Sequence, residues 1–157
     1  MAQKKYLSKD DALFRMQHYC AYQERCHKEV RSKLLDLGIY GHELEDIIVN
    51  LIGGNFLNEE RFACSFARGK FRLKKWGRSR ILRELKMRDI STYCIRKAMN
   101  EIEEEEYLKT LQSVLKKRAD RLQEKNDFAR KSKLAQYAIG RGFETELVWE
   151  VIRSMDL

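Results

Sequence analysis

Residues 43–51 read Glu-Leu-Glu-Asp-Ile-Ile-Val-Asn-Leu, and this stretch decides the fold. Leu44, Ile47, Ile48 and Leu51 recur at the i, i+3, i+4, i+7 spacing that lines up one face of a helix. The same face is written twice more. Fifty-one residues on, where Ile39 is answered by Ile90, it returns as Ile95, Ala98, Met99 and Ile102. After Gly142-Phe143 it returns as Val148, Val151, Ile152 and Met155. Three registers agreeing at four apolar positions mark a repeat, whose units bury their apolar faces by stacking. Ile48, Met99 and Ile152 are therefore expected to be buried at equivalent places. Stacked units present an extended surface, which suits a polymer or filament better than a small substrate.

Outward from that stretch the punctuation is helical. A short basic tail precedes Ser8-Lys9-Asp10-Asp11, where a serine cap followed by an acid three residues on starts a helix through Met16 and Cys20. Val30, Leu34 and Leu37 define a second helix ended by Gly38, and the third closes near Gly53-Gly54. Asn58 caps the next helix, which runs through Phe62, Ala63 and Phe66 and is broken at Gly77. Ile81 and Leu85 repeat Val30 and Leu34, and Ser91 caps the helix after them. Leu111, Val114, Leu115 and Leu122 lie on a long charged helix, Leu134 and Ala138 on the next, and the last begins near Thr145. The chain has no proline and only 8 glycines, so helices run without their main breaker. No stretch alternates as a strand would. The reading is all-α: a basic tail over residues 1–9, then tandem three-helix units over 10–57, 58–107 and 108–157.

Charge is loaded on the middle unit. Residues 1–60 carry 8 Lys/Arg against 10 Asp/Glu, residues 61–110 carry 14 against 7, and residues 111–157 carry 10 against 7. Between positions 61 and 88, eleven cations face the single acid Glu84. An ordinary solvated helix face mixes its signs and forms i,i+4 pairs. Eleven cations against one acid do not fit that pattern, and the self-repulsion of the stretch is offset when a polyanion or an acidic groove lies opposite. The candidate filament- and nucleic-acid-binding residues are Arg68, Lys70, Arg72, Lys74, Lys75, Trp76, Arg78, Arg80 and Arg83. Removing Lys74, Lys75 and Arg78 together is expected to weaken binding while the fold survives. Two readings stay open: Trp76 stacks on a base or packs at the helix joint, and Glu103–Glu106 faces solvent, meets a partner or folds back over the cations.

Other function classes lack their signatures. Cys20, Cys26, Cys64 and Cys94 form no CxxC pair, and with His18, His27 and His42 they match no common zinc spacing. They read as reduced, buried or incidental thiols. No nucleophile–base arrangement, phosphate loop or HExxH is present, so neither catalysis nor a cofactor is expected. No run approaches the roughly 20 apolar residues of a membrane span, and no leader opens the chain. A cytoplasmic location is the expectation.

The junction residues resemble the RecX family of bacterial recombination regulators. The resemblance lies in Val30, Lys33-Leu34 and Gly38-Ile39, in Phe56-Leu57 with Arg61-Phe62-Ala63, in Gly77, Arg80-Ile81 and Glu84-Leu85, and in Arg141-Gly142-Phe143. Together they run from about Asp10 to Met155. Asn58-Glu59 stands where the family commonly has paired aspartates, Arg78 where it has proline, and Cys26 where it has serine. The resemblance implies an elongated, curved molecule of three tandem three-helix units. It also implies a partner and a role: binding the RecA recombinase filament on single-stranded DNA and damping its ATPase and strand exchange, within DNA repair and the SOS response. Weak binding to single-stranded and also double-stranded DNA follows from it, by a chain expected to act as a monomer. The competing reading is a general DNA-binding or architectural helical protein with no recombinase target.

Overall fold

Each cap read in the sequence starts a helix. In the computed structural model, which describes residues 7–157, the Ser8 hydroxyl accepts from the Asp11 N–H at 3.2 Å and Asn58 accepts from the Arg61 N–H at 2.8 Å. Ser91 accepts from the Cys94 N–H at 3.2 Å, and Asn126 from the Ala129 N–H at 2.9 Å. Each bond satisfies one of the N–H groups that a helix start leaves without a partner. Cys26 takes the position of a capping serine, and its own N–H is met at 3.4 Å by Glu29.

Nine helices result among the described residues, with no strand. The first unit holds α1 (Lys9–Tyr22), α2 (His27–Asp36) and α3 (Gly41–Gly53). The second holds α4 (Glu59–Lys74), α5 (Arg78–Met87) and α6 (Thr92–Met99), and the third α7 (Glu104–Arg121), α8 (Asp127–Gly140) and α9 (Thr145–Ser154). No helix among them is long and apolar enough to cross a membrane. Lys4 and Lys5 of the expected tail lie outside the described residues. Lys9 does not belong to a tail: it opens α1, and its ammonium lies 2.8 Å from Asp46 on α3. Leu7 already packs on the first core, which draws the chain in before the cap.

The repeat is visible in the core. Shifts of 51 and then 53 residues carry Val30 and Leu34 onto Ile81 and Leu85, then onto Leu134 and Ala138, and all six are fully buried. The same shifts carry Ile39 onto Ile90 and Phe143, the buried residues that follow the second helix of each unit. Ile48 and Ile152 are buried as expected, but Met99 is only partly so. Met99 is the terminal residue of the 8-residue α6, whereas Ile48 and Ile152 lie inside the bounds of α3 and α9.

Buried side chains form two clusters. One fills the first unit, and the other runs continuously through the second and third. Cys26 alone crosses from the first unit into the second cluster. The surface is correspondingly large: 10375 Å², where a compact protein of 18.7 kDa exposes about 8,300 Å². The first two units are also pinned through side chains. Arg61 donates to Glu24 at 2.5 Å and to the Asn55 carbonyl at 3.0 Å, while Lys28 donates to the Met87 carbonyl at 3.0 Å.

The second and third units meet backbone to backbone. The Gly77 N–H donates to the Arg141 carbonyl at 2.9 Å, and the Ser79 N–H to the Gly142 carbonyl at 3.0 Å. A Cβ on Gly77 would stand 2.2 Å from the Gly142 carbonyl carbon, and one on Gly142 would stand 2.4 Å from the Arg80 Cβ. Gly142 also has a φ of +102°. Gly77 has an ordinary φ of −76°, so its lack of a side chain serves the close approach and not a turn. The break assigned to it belongs to Lys75, which ends α4 in the left-handed region at φ 56°.

Tyr107 seals this joint. Its ring is fully buried between Phe71 and Phe143, its hydroxyl accepts from the Arg78 N–H at 3.0 Å, and it donates to Glu144. Burial, and next the Glu144 hydrogen bond, push the phenol well above its ordinary range. The folded state therefore keeps this proton where the unfolded chain releases it. The linked stability is complete below about pH 10 and declines as pH rises beyond it. Tyr107→Phe should cost about 1–3 kcal/mol at pH 7 by leaving the Arg78 N–H and one carboxylate oxygen of Glu144 without a partner. It should also flatten the alkaline decline. Urea melts at neutral and alkaline pH test both, and an unchanged pH profile would count against the assigned role.

Candidate nucleic-acid interface

The eleven-to-one charge imbalance is partly answered across the fold. α6 and the start of α7 bring acids from after position 100 back onto the cations of α4 and α5. Arg68 meets Glu101 at 3.1 Å, Arg72 meets Glu106 at 3.8 Å, and Arg78 meets Glu104 and, at 3.1 Å, Glu144. Arg61 pairs with Glu24 and Arg88 with Glu84. Glu104 and Glu106 of the acidic block therefore fold back over the basic stretch, while Glu105 pairs with Lys109 on its own helix, and the first-turn carboxylates also suit the positive end of α7.

The nine candidate residues separate accordingly. Arg68 and Arg72 are ion-paired but about half-exposed, so each keeps access to solvent. Arg78 must be corrected: its guanidinium lies 3.8 Å over the Tyr107 ring and bridges Glu104 and Glu144, so it belongs to the joint. Removing it would attack the fold, contrary to the expectation for the Lys74, Lys75 and Arg78 triple. Trp76 is half-buried. It meets Phe66 edge-on at 6.3 Å, carries the Arg80 guanidinium at 4.0 Å, and has the Lys70 ammonium at 5.0 Å. It packs at the end of α4, with Arg80 stacked on it. Lys74, Lys75 and Arg83 are exposed, as is their neighbour Lys86. These four, with Lys70 and Arg80, meet no carboxylate within ion-pair distance among the described residues.

A second basic feature emerges from tertiary packing. Lys75, at the end of α4, opens into a cleft of about 370 Å³ shared with α7 and α8. Lys109, Lys117, Arg118, Arg121 and Arg141 line it, against the one acid Glu106. Tyr137 forms part of the wall, with the Arg118 guanidinium 4.6 Å from its ring centre. Arg141 is held in place by donating to the Lys74 and Lys75 carbonyls at the end of α4. Sequence reading passed over these third-unit cations because their local counts are nearly balanced. The available signal was helical phase: Thr110, Val114, Lys117 and Arg121 recur on one stripe of α7.

The thiols are not part of either feature. Cys20, Cys26 and Cys94 are buried and Cys64 half-buried, and burial pushes the Cys20 thiol up to about 11.

Comparison with known proteins follows the same architecture. The family model described as RecX, second three-helix domain, matches residues 58–99, and that described as RecX, third three-helix domain, matches residues 104–152. The chain is 31% identical to the regulatory protein RecX of Lactobacillus gasseri over 143 residues, covering 88% of this chain and 51% of that protein. It is 30% identical to the regulatory protein RecX of Thermotoga maritima over 139 residues, covering 86% of this chain and 78% of that protein. The chain spans about half the length of the Lactobacillus relatives it matches, 51% and 57% for two of them. The crystal structure of RecX from Lactobacillus salivarius superposes with a TM-score of 0.83 over 93% of this chain and 95% of that one, at 22% identity, which shows a shared fold.

Proposed function

The chain belongs to the RecX family, and from that premise we propose that it is a non-enzymatic regulator that docks on a RecA recombinase filament on single-stranded DNA and inhibits its ATPase and strand exchange. The observation that carries the reading is the set of cations left without carboxylates after the fold has made its ion pairs. Lys70, Lys74, Lys75, Arg80, Arg83 and Lys86 all come from α4, α5 and the turn between them. A filament is a periodic track, and three units in series can engage successive parts of it. Weak contacts linked in this way gain affinity through effective concentration.

The deciding experiment is RecA ATPase on single-stranded DNA with and without the protein. Inhibition is expected, and it should weaken about ten-fold in a Lys74→Ala/Arg83→Ala/Lys86→Ala variant, on the order of half a kcal/mol or more for each cation removed from the interface. Those three exposed sites should leave thermal stability nearly unchanged. DNA binding with no effect on RecA turnover would support the general DNA-binding reading in its place.

A further inference from the structure

We infer that the cleft between α4, α7 and α8 binds the sugar–phosphate backbone of a single nucleic-acid strand, with phosphates on Lys75, Lys117 and Arg121 and a base against the Arg118–Tyr137 edge. The inference rests on the proposed reading only in taking nucleic acid as the polyanion. It requires no recombinase.

Charge comes first. Six cations line the cleft against one carboxylate, and that carboxylate, Glu106, is already paired with Arg72. Lys109 is paired outward with Glu105, but Lys75, Lys117, Arg118 and Arg121 meet no carboxylate within ion-pair distance among the described residues. Such a concentration of one sign in a concave, partly apolar site focuses a field that attracts anions. Arg141 adds a guanidinium whose position is set by backbone carbonyls and not by a counter-ion.

Shape selects the anion. The stripe from Thr110 to Arg121 covers twelve residues of α7, about 16 Å end to end at the helical rise, and sets the donors of Thr110, Lys117 and Arg121 in a row that a strand can follow. The cleft, at about 370 Å³, is of the size that holds one small molecule. A strand can lay one nucleotide in it, whereas a duplex keeps its base faces inside the stack. The Arg118 plane over Tyr137 offers what an unstacked base takes and a glutamate side chain does not, a layered cationic–aromatic surface.

The test is binding of a fluorescent oligothymidylate, measured by anisotropy across a salt series, with RecA absent. Lys117→Gln/Arg121→Gln should lose at least about ten-fold in affinity, and its log–log salt slope should flatten by about 1.4, at about 0.7 for each phosphate contact on a single strand. Arg118→Lys keeps the charge and loses the plane. It should weaken binding about five-fold or more without changing the salt slope. Arg96→Gln/Lys97→Gln removes the same charge as the first variant from exposed positions of α6 outside the cleft, and should bind as the parent does. Circular dichroism melts confirm that each variant is folded. Equal losses from the α6 and α7 pairs, or a folded α7 pair that binds as the parent does, would overturn the assignment. So would competition by polyglutamate as effective as that of unlabelled strand, which would make the occupant an acidic protein segment, or equal affinity for a duplex of the same length. Failure of the filament reading looks different: the α7 pair loses DNA binding while the parent leaves RecA ATPase unchanged.

Discussion

Gly77→Ala is expected to destabilise the protein by about 3 kcal/mol or more through a single added methyl group. The new Cβ would lie 2.2 Å from both the Gly142 carbonyl carbon and the Phe143 nitrogen, and 2.3 Å from the Gly142 oxygen. These are backbone atoms, so no side-chain rotation relieves the contact, and overpacking of this kind costs about 1–3 kcal/mol or more. The shift needed would also stretch the Gly77–Arg141 and Ser79–Gly142 hydrogen bonds and open the cover over Tyr107. Gly69→Ala is the matched control. Gly69 lies within α4 with nothing within 4 Å of the added Cβ, and alanine there should stabilise by about 0.5–1 kcal/mol through helix propensity. Urea melts of the two variants should move in opposite directions, and similar shifts would remove the argument for a glycine-to-glycine joint.

Ile48→Ala should cost about 2–5 kcal/mol, because it deletes buried methyl groups from the centre of the first core and leaves a cavity. Its side chain belongs to the cluster of Met16, Val30, Leu34, Ile47 and Leu51, which shares no buried residue with the cluster of the other two units. The loss should therefore be local. Hydrogen exchange should accelerate across α1, α2 and α3 while the amides of α4 to α9 keep most of their protection. A loss below about half a kcal/mol would mean that the apolar register of the repeat is wrong. Uniform acceleration through all nine helices would instead show that the two cores melt as one.

Much of the fold was legible because it is local. Caps at Ser8, Asn58 and Ser91, apolar residues at helical spacing, and turns at Gly38 and Gly142 are interactions within a few residues. Repetition then multiplied a weak signal by three. The expected site was less legible, because charge counts along a chain do not register which charges meet in space. Arg68, Arg72 and Arg78 lie 33, 34 and 26 residues from Glu101, Glu106 and Glu104, and only the return of the chain through α6 into α7 joins them.

By itself the sequence determined nine helices in three units, the apolar face of each, and an excess of positive charge in the middle, since all of these follow from spacing and composition. Tertiary structure alone decided that the second and third units share one core, that Gly77 serves contact and not a turn, and that Arg78 is a structural arginine. It also decided where the unanswered cations gather, at a cleft built from Lys75 of one unit and Lys117, Arg118 and Arg121 of the next. The physical reason is range. Helix propensity and capping act over one or two turns, whereas an ion pair, a packed ring or a backbone approach depends on distances through space that residue spacing does not encode.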